Sequence, residues 1–207
     1  MTDPKEKFYR SPTQVYCFAD TAALCEKLLN VGARVIQLRD KSVDDKTFRN
    51  IAVQMLERVR RFEDALLIIN DRVDIAIEIG ADGVHVGPKD EDYKEVIRRV
   101  PDGIIVGVSA RYPDIADTAA RAGATYVGTG AVFATPTKPD ATVIGLKGLR
   151  AVVERVTIPV VAIGGISAEN IRQVISAGAR YCGVISEINS AKDVMAAYYR
   201  LAVACSD

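Results

Sequence analysis

Polar side chains stand directly behind an apolar run in the segment VIQLRDK. Gln37, Arg39 and Lys41 are two residues apart, and Ile36 and Leu38 occupy alternate positions of the apolar run. Side chains alternate between the two faces of a strand, so the three polar groups share one face and the aliphatic pair the other. An amide, a guanidinium and an ammonium on one face indicate a site for an anionic ligand.

Two aspartates end the next two apolar runs. LLIIND ends in Asp71 and GVHVGPKD ends in Asp90. Neighbouring parallel strands lie about 4.8 Å apart, so both carboxylates could reach one ion. Mg²⁺ accepts one or two carboxylates and completes its shell with waters and substrate phosphates. Aspartates at strand ends also cap the helices that follow, and the sequence leaves both interpretations open.

Small and hydroxylated residues end the later apolar runs. Ser109 ends GIIVGVS, and IGGIS contributes Gly164, Gly165 and Ser167. Glycine allows the backbone to approach an anion closely, and Ser167 is predicted to cap the next helix.

His85 is the only histidine of the chain. A lone histidine within a strand is predicted to be packed and hydrogen-bonded rather than catalytic.

A long loop, VFATPTKPDATVIG, follows the sixth apolar run. Loops of more than about 12 residues without their own structure are usually functional or disordered. Thr135, Thr137 and Lys138 supply hydroxyls and an ammonium that suit phosphate oxygens. The pattern therefore predicts two anion-binding regions. One lies near Arg39, Lys41, Lys138 and the ion, and the other lies at the loops after the seventh and eighth runs.

The elements that must position these residues are eight apolar runs alternating with amphipathic helical segments. A Gly-Ala pair precedes every second run, starting at Gly32, Gly80, Gly123 and Gly178, which are 48, 43 and 55 residues apart. This spacing predicts a single (β/α)₈ TIM barrel over residues 1–207, with residues 1–13 as an N-terminal extension. A doubly wound open sheet is the alternative, but the fourfold repeat favours closure. Barrel active sites lie at the C-terminal strand ends, where the polar residues stand.

Composition excludes several classes of protein. Basic and acidic residues number 27 each and are scattered, which argues against a nucleic-acid surface. No apolar run reaches the length of about 20 residues that spans a bilayer, and the start has no apolar secretory segment. The four cysteines lie in apolar segments without C-x-x-C spacing, which predicts reduced core residues in a cytoplasmic protein; they are Cys17, Cys25, Cys182 and Cys205.

Taken in order, the motifs resemble those of the thiamine-phosphate synthases. They are QLRDK, IINDR, GADGVHVG-x-x-D, GVS, TPTK, AIGGIS-x-x-N and VIS-x-I. The resemblance implies a Mg²⁺-dependent transferase, active as a homodimer on small phosphorylated substrates. Such an enzyme joins 4-amino-2-methyl-5-(diphosphooxymethyl)pyrimidine to a 4-methyl-5-(2-phosphoethyl)thiazole, carboxylated or not, and releases diphosphate.

Each site residue receives a role from this resemblance. The pyrimidine diphosphate would be bound by Gln37, Arg39, Lys41, Asn70, Ser109 and Lys138. The metal would be bound by Asp71 and Asp90, and the thiazole phosphate by Thr135, Thr137, Gly165, Ile185 and Ser186. The catalytic groups would be Arg39, Lys41, Ser109 and Lys138, because a dissociative substitution needs charge neutralised on the leaving diphosphate rather than a nucleophilic side chain.

Two positions depart from the family pattern. Pro88 stands where the family commonly has Gln, and Glu187 replaces a small residue beside Ser186.

Two other functions remain as alternatives: a thiazole tautomerase-like isomerase, which would lack the diphosphate and metal residues, and a non-catalytic barrel that binds phosphorylated metabolites. A metal-dependent sugar-phosphate epimerase would need several histidine ligands, and the chain has one histidine.

Overall fold

Eight parallel strands close into a barrel in chain order. The structure is a computed structural model that describes residues 3–206. The strands are β1 (Val15–Ala19), β2 (Val35–Leu38), β3 (Leu66–Asn70), β4 (Gly83–Val86), β5 (Ile105–Ser109), β6 (Tyr126–Gly130), β7 (Val160–Ile163) and β8 (Tyr181–Val184). Val15 pairs with Cys182, which closes β1 onto β8. All eight apolar runs form the predicted strands, the closed barrel is confirmed, and the open-sheet alternative is wrong.

Helices follow the strands around the outside of the barrel. In the described part of the chain they are α1 (Pro4–Arg10), α2 (Ala22–Asn30), α3 (Asp45–Val59), α4 (Val73–Ile79), α5 (Tyr93–Arg99), α6 (Pro113–Ala122), α7 (Gly145–Arg155), α8 (Ile171–Ser176), α9 (Ser186–Asn189) and α10 (Val194–Ser206). Across residues 3–206, no helix combines the length and the apolar character needed to cross a bilayer.

The four Gly-Ala pairs end helices α2, α4, α6 and α8. Each glycine has a positive φ, from 66° at Gly80 to 104° at Gly123. Each glycine N–H bonds the carbonyl three residues back, and each alanine N–H bonds the carbonyl five residues back. These two bonds form the Schellman motif, in which glycine takes the left-handed position at low cost. The repeat predicted from sequence is therefore a repeated helix stop that turns the chain into the next strand.

Two apolar layers separate the inside of the barrel from its outer shell. Outward strand residues such as Ile36 and Leu67 pack under the helices. Inward residues form a separate interior cluster, namely Tyr16, Phe18, Val35, Leu66, Ile68, Ile105, Tyr126, Val161 and Tyr181, with Phe8. Alternation along each strand produces this division. We call the end of the barrel at the C-terminal strand ends the upper rim, and the opposite end the lower end.

Helix α1 closes the lower end. The fully buried Phe8 ring stacks on Tyr126 at 5.0 Å and lies 4.8 Å from Tyr181, centroid to centroid. The Tyr181 hydroxyl donates to the Phe8 carbonyl, and Arg180 Nη2 donates to the Ser11 carbonyl at 2.7 Å. Helix α1, which lies within the segment expected to be an extension, therefore packs against the barrel floor.

The cysteines lie along the seam between the first and last strands. Cys17 is on β1, Cys182 on β8, Cys25 on α2 and Cys205 on α10, and all four thiols are free. Three are buried and Cys205 is partly exposed. Burial raises the pKa of Cys25 to about 12 and that of Cys205 to about 11. The prediction of unpaired cysteines in the core is confirmed for the three buried residues, and all four thiols are protonated at neutral pH.

Candidate functional site

The predicted polar residues of β2, β3 and β5 meet at the upper rim. Gln37 and Asn70 are buried, at 2% and 7% exposure, and Ser109 is half-buried. Each follows inward apolar residues in phase, so each side chain points into the barrel mouth. Arg39, the next residue in phase with Gln37, is half-buried beyond the end of β2. The predicted inward face of VIQLRDK is therefore confirmed at Gln37.

A chain of hydrogen bonds crosses the barrel interior beneath this rim. Gln37 Nε2 donates to the Tyr16 hydroxyl at 2.9 Å, and the Tyr16 and Tyr126 hydroxyls are 2.8 Å apart. The Tyr126 hydroxyl lies 2.9 Å from His85 Nδ1. On the other side of the ring, His85 Nε2 lies 2.9 Å from Ser109 Oγ. The chain connects two residues predicted to bind the same ligand, Gln37 on β2 and Ser109 on β5.

Glycines on β5 and β6 make room for the rings of this chain. A β-carbon on Gly107 would lie 2.1 Å from Tyr126 Cζ, and one on Gly128 would lie 2.9 Å from His85 Cε1. Both distances are too short for real contacts, so neither position accepts a side chain without displacing a ring. The sequence reasoning missed Tyr16 and Tyr126, which stand inside apolar runs; the glycines of GVS and YVGTG are the signal that could have indicated them.

His85 is neutral at physiological pH. Burial lowers its pKa to about 4; the Asp90 carboxylate opposes this shift, and the charges of Arg39 and Lys41 add to it. Burial likewise raises the pKa of Tyr126 well above its ordinary value, with the Tyr16 hydroxyl adding to the shift. The prediction that His85 is packed and hydrogen-bonded is confirmed.

The two aspartates lie close together beside a lysine. Lys41 Nζ is 2.8 Å from Asp71 Oδ2. Asp71 has φ 64°, the one positive value among described residues other than glycine, a backbone strain that concentrates at functional sites. Burial first, then a hydrogen bond and like charge from Asp71, raises the pKa of Asp90. Two carboxylates of neighbouring strands thus converge, as predicted.

A tight turn holds Asp90 in place. The Asp90 N–H bonds the Gly87 carbonyl at 3.2 Å, which makes Pro88 the second residue of a four-residue turn. Asp90 Oδ2 accepts from the Gly87 N–H at 2.7 Å. Proline is favoured at that turn position because its φ is already fixed. Pro88, the departure from the family pattern, therefore supports the turn that carries Asp90.

The acidic pair fits Mg²⁺ through its donor set. Across residues 3–206, no group of three or more histidines, cysteines or carboxylates converges. Two carboxylates alone suit Mg²⁺, which keeps waters and takes substrate phosphates as its remaining ligands. Burial first, and then the neighbouring Asp71 carboxylate, raise the pKa of Asp90 even though Lys41 lies beside the pair. A divalent cation between the two carboxylates would relieve their mutual repulsion.

The loop after β7 is a backbone cradle built on two glycines. Gly164 has φ 100° and Gly165 φ 64°, and a β-carbon on Gly165 would lie 2.4 Å from the Ala134 carbonyl oxygen. Asn170 braces this loop: its Oδ1 accepts from Ser167 N–H, and its Nδ2 donates to the Gly165 carbonyl, both at 2.9 Å. The prediction that Ser167 caps the next helix is wrong. Asn170 holds the N-cap position of α8, and the Ser167 hydroxyl bonds the Glu169 carboxylate instead of a backbone N–H of the helix.

The end of β8 lies at the same upper rim. Ile185 packs against the interior cluster, and Ser186 begins the short helix α9. Ser186 and its neighbour Glu187 are both half-buried. β7 and β8 are paired neighbours, so the Gly165 loop and Ser186 follow adjacent strands at the rim.

The long loop between β6 and α7 is fixed at both ends and exposed in between. Val132 N–H bonds the Ile163 carbonyl at 2.9 Å, and Ile144 N–H bonds the Ala131 carbonyl at 2.9 Å. The loop tip carries the predicted phosphate ligands: Thr135 is half-buried, and Thr137 and Lys138 are exposed.

Among the described residues, the side chains of the loop tip make no hydrogen bond or ion pair to the rim. Thr137 N–H bonds the Thr135 hydroxyl at 3.3 Å, within the loop itself. Within residues 3–206 the Lys138 ammonium has no hydrogen bond or ion pair, so the structure leaves it apart from Lys41 and Asp71. Arg111, which sequence reasoning did not select, links the rim to the loop through Thr142 Oγ1 at 3.4 Å.

Comparison with known proteins gives a consistent result. A family model described as thiamine monophosphate synthase matches residues 11–188. Thiamine-phosphate synthase from Pyrococcus abyssi is 40% identical over 191 residues, 90% of this chain and 91% of that protein. The enzyme of the same name from Caldivirga maquilingensis is 46% identical over 165 residues, 80% of each chain.

Solved structures agree with the sequence relatives. A thiamine phosphate pyrophosphorylase from Pyrococcus furiosus superposes with a TM-score of 0.88 at 36% identity, covering 96% of this chain and 98% of that one. A 3-hexulose-6-phosphate synthase superposes with a TM-score of 0.72 at 20% identity, covering 92% of this chain and 99% of that one. At that identity the second likeness shows the barrel fold alone.

Proposed function

The chain belongs to the thiamine monophosphate synthase family, and on that premise we propose that it joins a pyrimidine diphosphate to a thiazole phosphate and releases diphosphate. The observation that carries the proposal is the cluster of Lys41, Asp71 and Asp90 beside Ser109 at the upper rim. Cations and a carboxylate pair at one place suit a diphosphate leaving group. The substrates would be 4-amino-2-methyl-5-(diphosphooxymethyl)pyrimidine and 4-methyl-5-(2-phosphoethyl)thiazole, carboxylated or not.

The proposed reaction is a dissociative substitution. The bond between the methylene carbon and the diphosphate oxygen breaks, and its electron pair leaves with diphosphate. The remaining pyrimidine cation is stabilised by the electron-donating amino group of its ring. The thiazole nitrogen then donates its lone pair to the methylene carbon and forms the new C–N bond. No proton transfer is needed, which agrees with a site that has a neutral histidine and no activated nucleophile.

Mg²⁺ is the proposed cofactor at Asp71 and Asp90. When bound, it would neutralise negative charge that develops on the leaving diphosphate. Lys41 is ion-paired to Asp71 in the structure at 2.8 Å and would turn from that carboxylate toward the diphosphate once the carboxylate has another cation. Arg39, Ser109 and Lys138 would add donors from β2, β5 and the long loop.

The second substrate would bind at the rim near β6, β7 and β8. Gly165 offers a backbone cradle that no β-carbon obstructs, and Ser186 stands at the end of the adjacent strand. Thr135 and Thr137 would approach from the long loop. Ile185, packed on the interior cluster, would contact the apolar part of the thiazole.

The alternatives from the sequence are less well supported. An isomerase acting on a thiazole needs neither a diphosphate site nor a metal, yet Arg39, Lys41, Asp71 and Asp90 stand together at the rim. A non-catalytic binding barrel is less well supported because the relatives that match 80–90% of the chain are named as synthases. The proposal extends to a cytoplasmic protein that forms a homodimer. Sedimentation of the purified protein would test the oligomeric state.

The deciding experiment is a coupling assay with both substrates. Purified protein should form thiamine phosphate and diphosphate in equal amounts with Mg²⁺ and lose activity with excess chelator. Turnover with the thiazole in its carboxylated and decarboxylated forms would establish which one the enzyme prefers. A folded protein that forms no thiamine phosphate with Mg²⁺ would refute the proposed function, and one that is fully active with chelator would refute the metal's role.

A further inference from the structure

The Gln37 amide favours one direction for the hydrogen-bond chain beneath the rim. Gln37 Nε2 carries only donor hydrogens, so at 2.9 Å the Tyr16 oxygen must accept. The Tyr16 proton is then free to donate to the Tyr126 oxygen at 2.8 Å. That leaves the Tyr126 proton for the next partner, the His85 ring. The amide of Gln37 therefore sets the orientation of two buried hydroxyls.

The direction of the chain selects the tautomer of His85. In that orientation Tyr126 donates to His85 Nδ1, which lies 2.9 Å away, and Nδ1 is then the unprotonated nitrogen. A neutral imidazole carries one proton, which must then be on Nε2. In this tautomer Nε2–H donates to Ser109 Oγ, which lies 2.9 Å away. Ser109 is therefore an acceptor toward His85, and its own proton points elsewhere.

The Ser109 hydroxyl faces the space in which the anion is proposed to bind. A methyl group built on Gly87 would stand 3.0 Å from Asp90 Oδ2 and 3.7 Å from Ser109 Oγ, so both oxygens border the same small space. Within residues 3–206, Ser109 Oγ has no side-chain partner other than His85. The last donor hydrogen of the chain is thus left for a ligand at the rim.

We propose that His85 is a positioning residue: as the Nε2–H tautomer fixed by Tyr126, it commits Ser109 to donate its proton to the diphosphate of the substrate. The inference rests on the proposed function, because it names a role within that reaction. With the opposite tautomer, Ser109 would donate to His85 and present lone pairs to an anion. Such an arrangement would repel the diphosphate rather than bind it.

The chain orients protons and does not transfer them. Burial raises the pKa values of both Tyr16 and Tyr126 above the ordinary range, so both phenols keep their protons. The glycines at positions 107 and 128 leave space for the two rings in this arrangement and for nothing larger. Because Nε2 carries the proton and Nδ1 accepts from Tyr126, His85 has no free lone pair toward the rim and does not act as a general base.

The direct test is the tautomer of His85 in the wild-type protein. His85 is the only histidine in the chain, so ¹⁵N-histidine labelling gives NMR signals from one ring. At neutral pH the proton should reside on Nε2. In Tyr126→Phe, the signals should shift toward a mixture of tautomers because Nδ1 loses its donor. The matched control is Tyr181→Phe, an interior tyrosine whose hydroxyl bonds Phe8 instead; it should leave the tautomer as in wild type.

Kinetics test whether the tautomer acts through Ser109. Ser109→Ala should lower kcat by about 10²–10³, the loss seen when one transition-state donor is removed. Tyr126→Phe should lower kcat about tenfold, the size of one net hydrogen bond, without raising the KM for the thiazole phosphate. In the Ser109→Ala background, the same Tyr126→Phe change should cost less than about twofold, since coupled residues are not additive. Tyr181→Phe should retain wild-type kcat.

The outcomes separate this inference from the proposed function. A wild-type ring protonated on Nδ1 in an active enzyme overturns the inference and leaves the function intact. Independent, multiplicative losses for Tyr126→Phe and Ser109→Ala also overturn it, because they would show a merely structural tyrosine. An Nε2–H ring with non-additive losses supports it. Absence of any synthesis overturns both. The wild-type NMR measurement needs no variant to fold.

Discussion

The lower end of the barrel is filled with aromatic rings, whereas the upper rim carries charged and polar groups around open space. At the lower end, Phe8 packs between Tyr126 and Tyr181 without exposed surface. At the upper rim, two like charges lie together and Asp71 has a strained backbone. The same strands thus run from tight aromatic packing at one end of the barrel to clustered charges at the other. This contrast predicts that changes below affect stability and changes above affect turnover.

The largest effect should come from Phe8→Ala at the lower end. Removing a fully buried phenylalanine should lower the free energy of unfolding by about 3–5 kcal/mol. The Tyr126 hydroxyl stays held by Tyr16 and His85, so kcat per folded molecule should stay within about twofold. Urea unfolding and the coupling assay measure the two quantities. Tyr9→Ala, the exposed neighbour, is the control and should lose far less stability. A marked fall in kcat for Phe8→Ala would break the comparison, by showing that the two ends communicate through Tyr126.

The complementary change at the rim is Asp90→Asn. Turnover should fall by about 10²–10³, because one charged contact to the leaving group through the metal is lost. The midpoint of thermal unfolding should stay the same or rise, since one of two repelling carboxylates is removed. Asp74→Asn, on an exposed acid of α4 paired with Arg99, is the matched control. Full activity of Asp90→Asn would contradict the assignment.

Changes in the long loop should have intermediate effects. Lys138→Ala should lower kcat by about ten- to a hundredfold, the range for one hydrogen bond to a charged group. Thr135→Ala combined with Thr137→Ala should instead raise the KM for the thiazole phosphate. Asp140→Ala in the same exposed loop is the control. Steady-state kinetics with each substrate varied in turn separates these effects. Unchanged kinetics in both test variants would remove the loop from the site.

The smallest expected effect is the pH dependence of the free energy of unfolding, which should come from Asp90 at the upper rim. The pKa of Asp90 is raised in the folded protein, so its protonated form stabilises the fold. That contribution is complete below the ordinary aspartate pKa and is lost as the pH rises through the raised value. The stability of the wild type relative to Asp90→Asn should therefore decrease as the pH rises from about 3 to 7. Urea unfolding across that range measures the difference, and Mg²⁺ should reduce its slope. A difference independent of pH would show that Asp90 is not perturbed.

The features that sequence predicted are those that depend on neighbouring residues. The eight continuous apolar runs predicted all eight strands, and each Gly-Ala pair predicted a helix end because left-handed φ is a property of one residue. The convergence of Asp71 and Asp90 followed from strand adjacency. Helix α1 was not predicted, since its single buried residue, Phe8, has partners more than 100 positions away.

The hydrogen-bond chain shows why the rest could not be predicted. Tyr16 and Tyr126 look like ordinary core residues in YCFAD and TYVGTG. Their contact joins β1 to β6 across the barrel interior, at a separation of 110 residues. Only closure of the barrel brings those hydroxyls together. The prediction that Ser167 caps α8 was wrong for a local reason. Two residues of suitable type lie near the start of the helix, and the Asn170 amide makes two hydrogen bonds in the turn before it.

Local opening of the barrel near the seam between β1 and β8 can be measured through its cysteines. Cys17 and Cys182 are fully buried on the two strands that join the ends of the chain, while Cys205 on α10 is partly exposed. Both side chains point outward beneath the helices, so a thiol reagent can reach them only when the covering helices lift or the seam opens, and their modification rates report the free energy of that local opening. Cys205 supplies an internal reference for reagent reactivity. The two buried thiols beside the closure of β1 on β8 therefore report the rate of local opening in this part of the barrel.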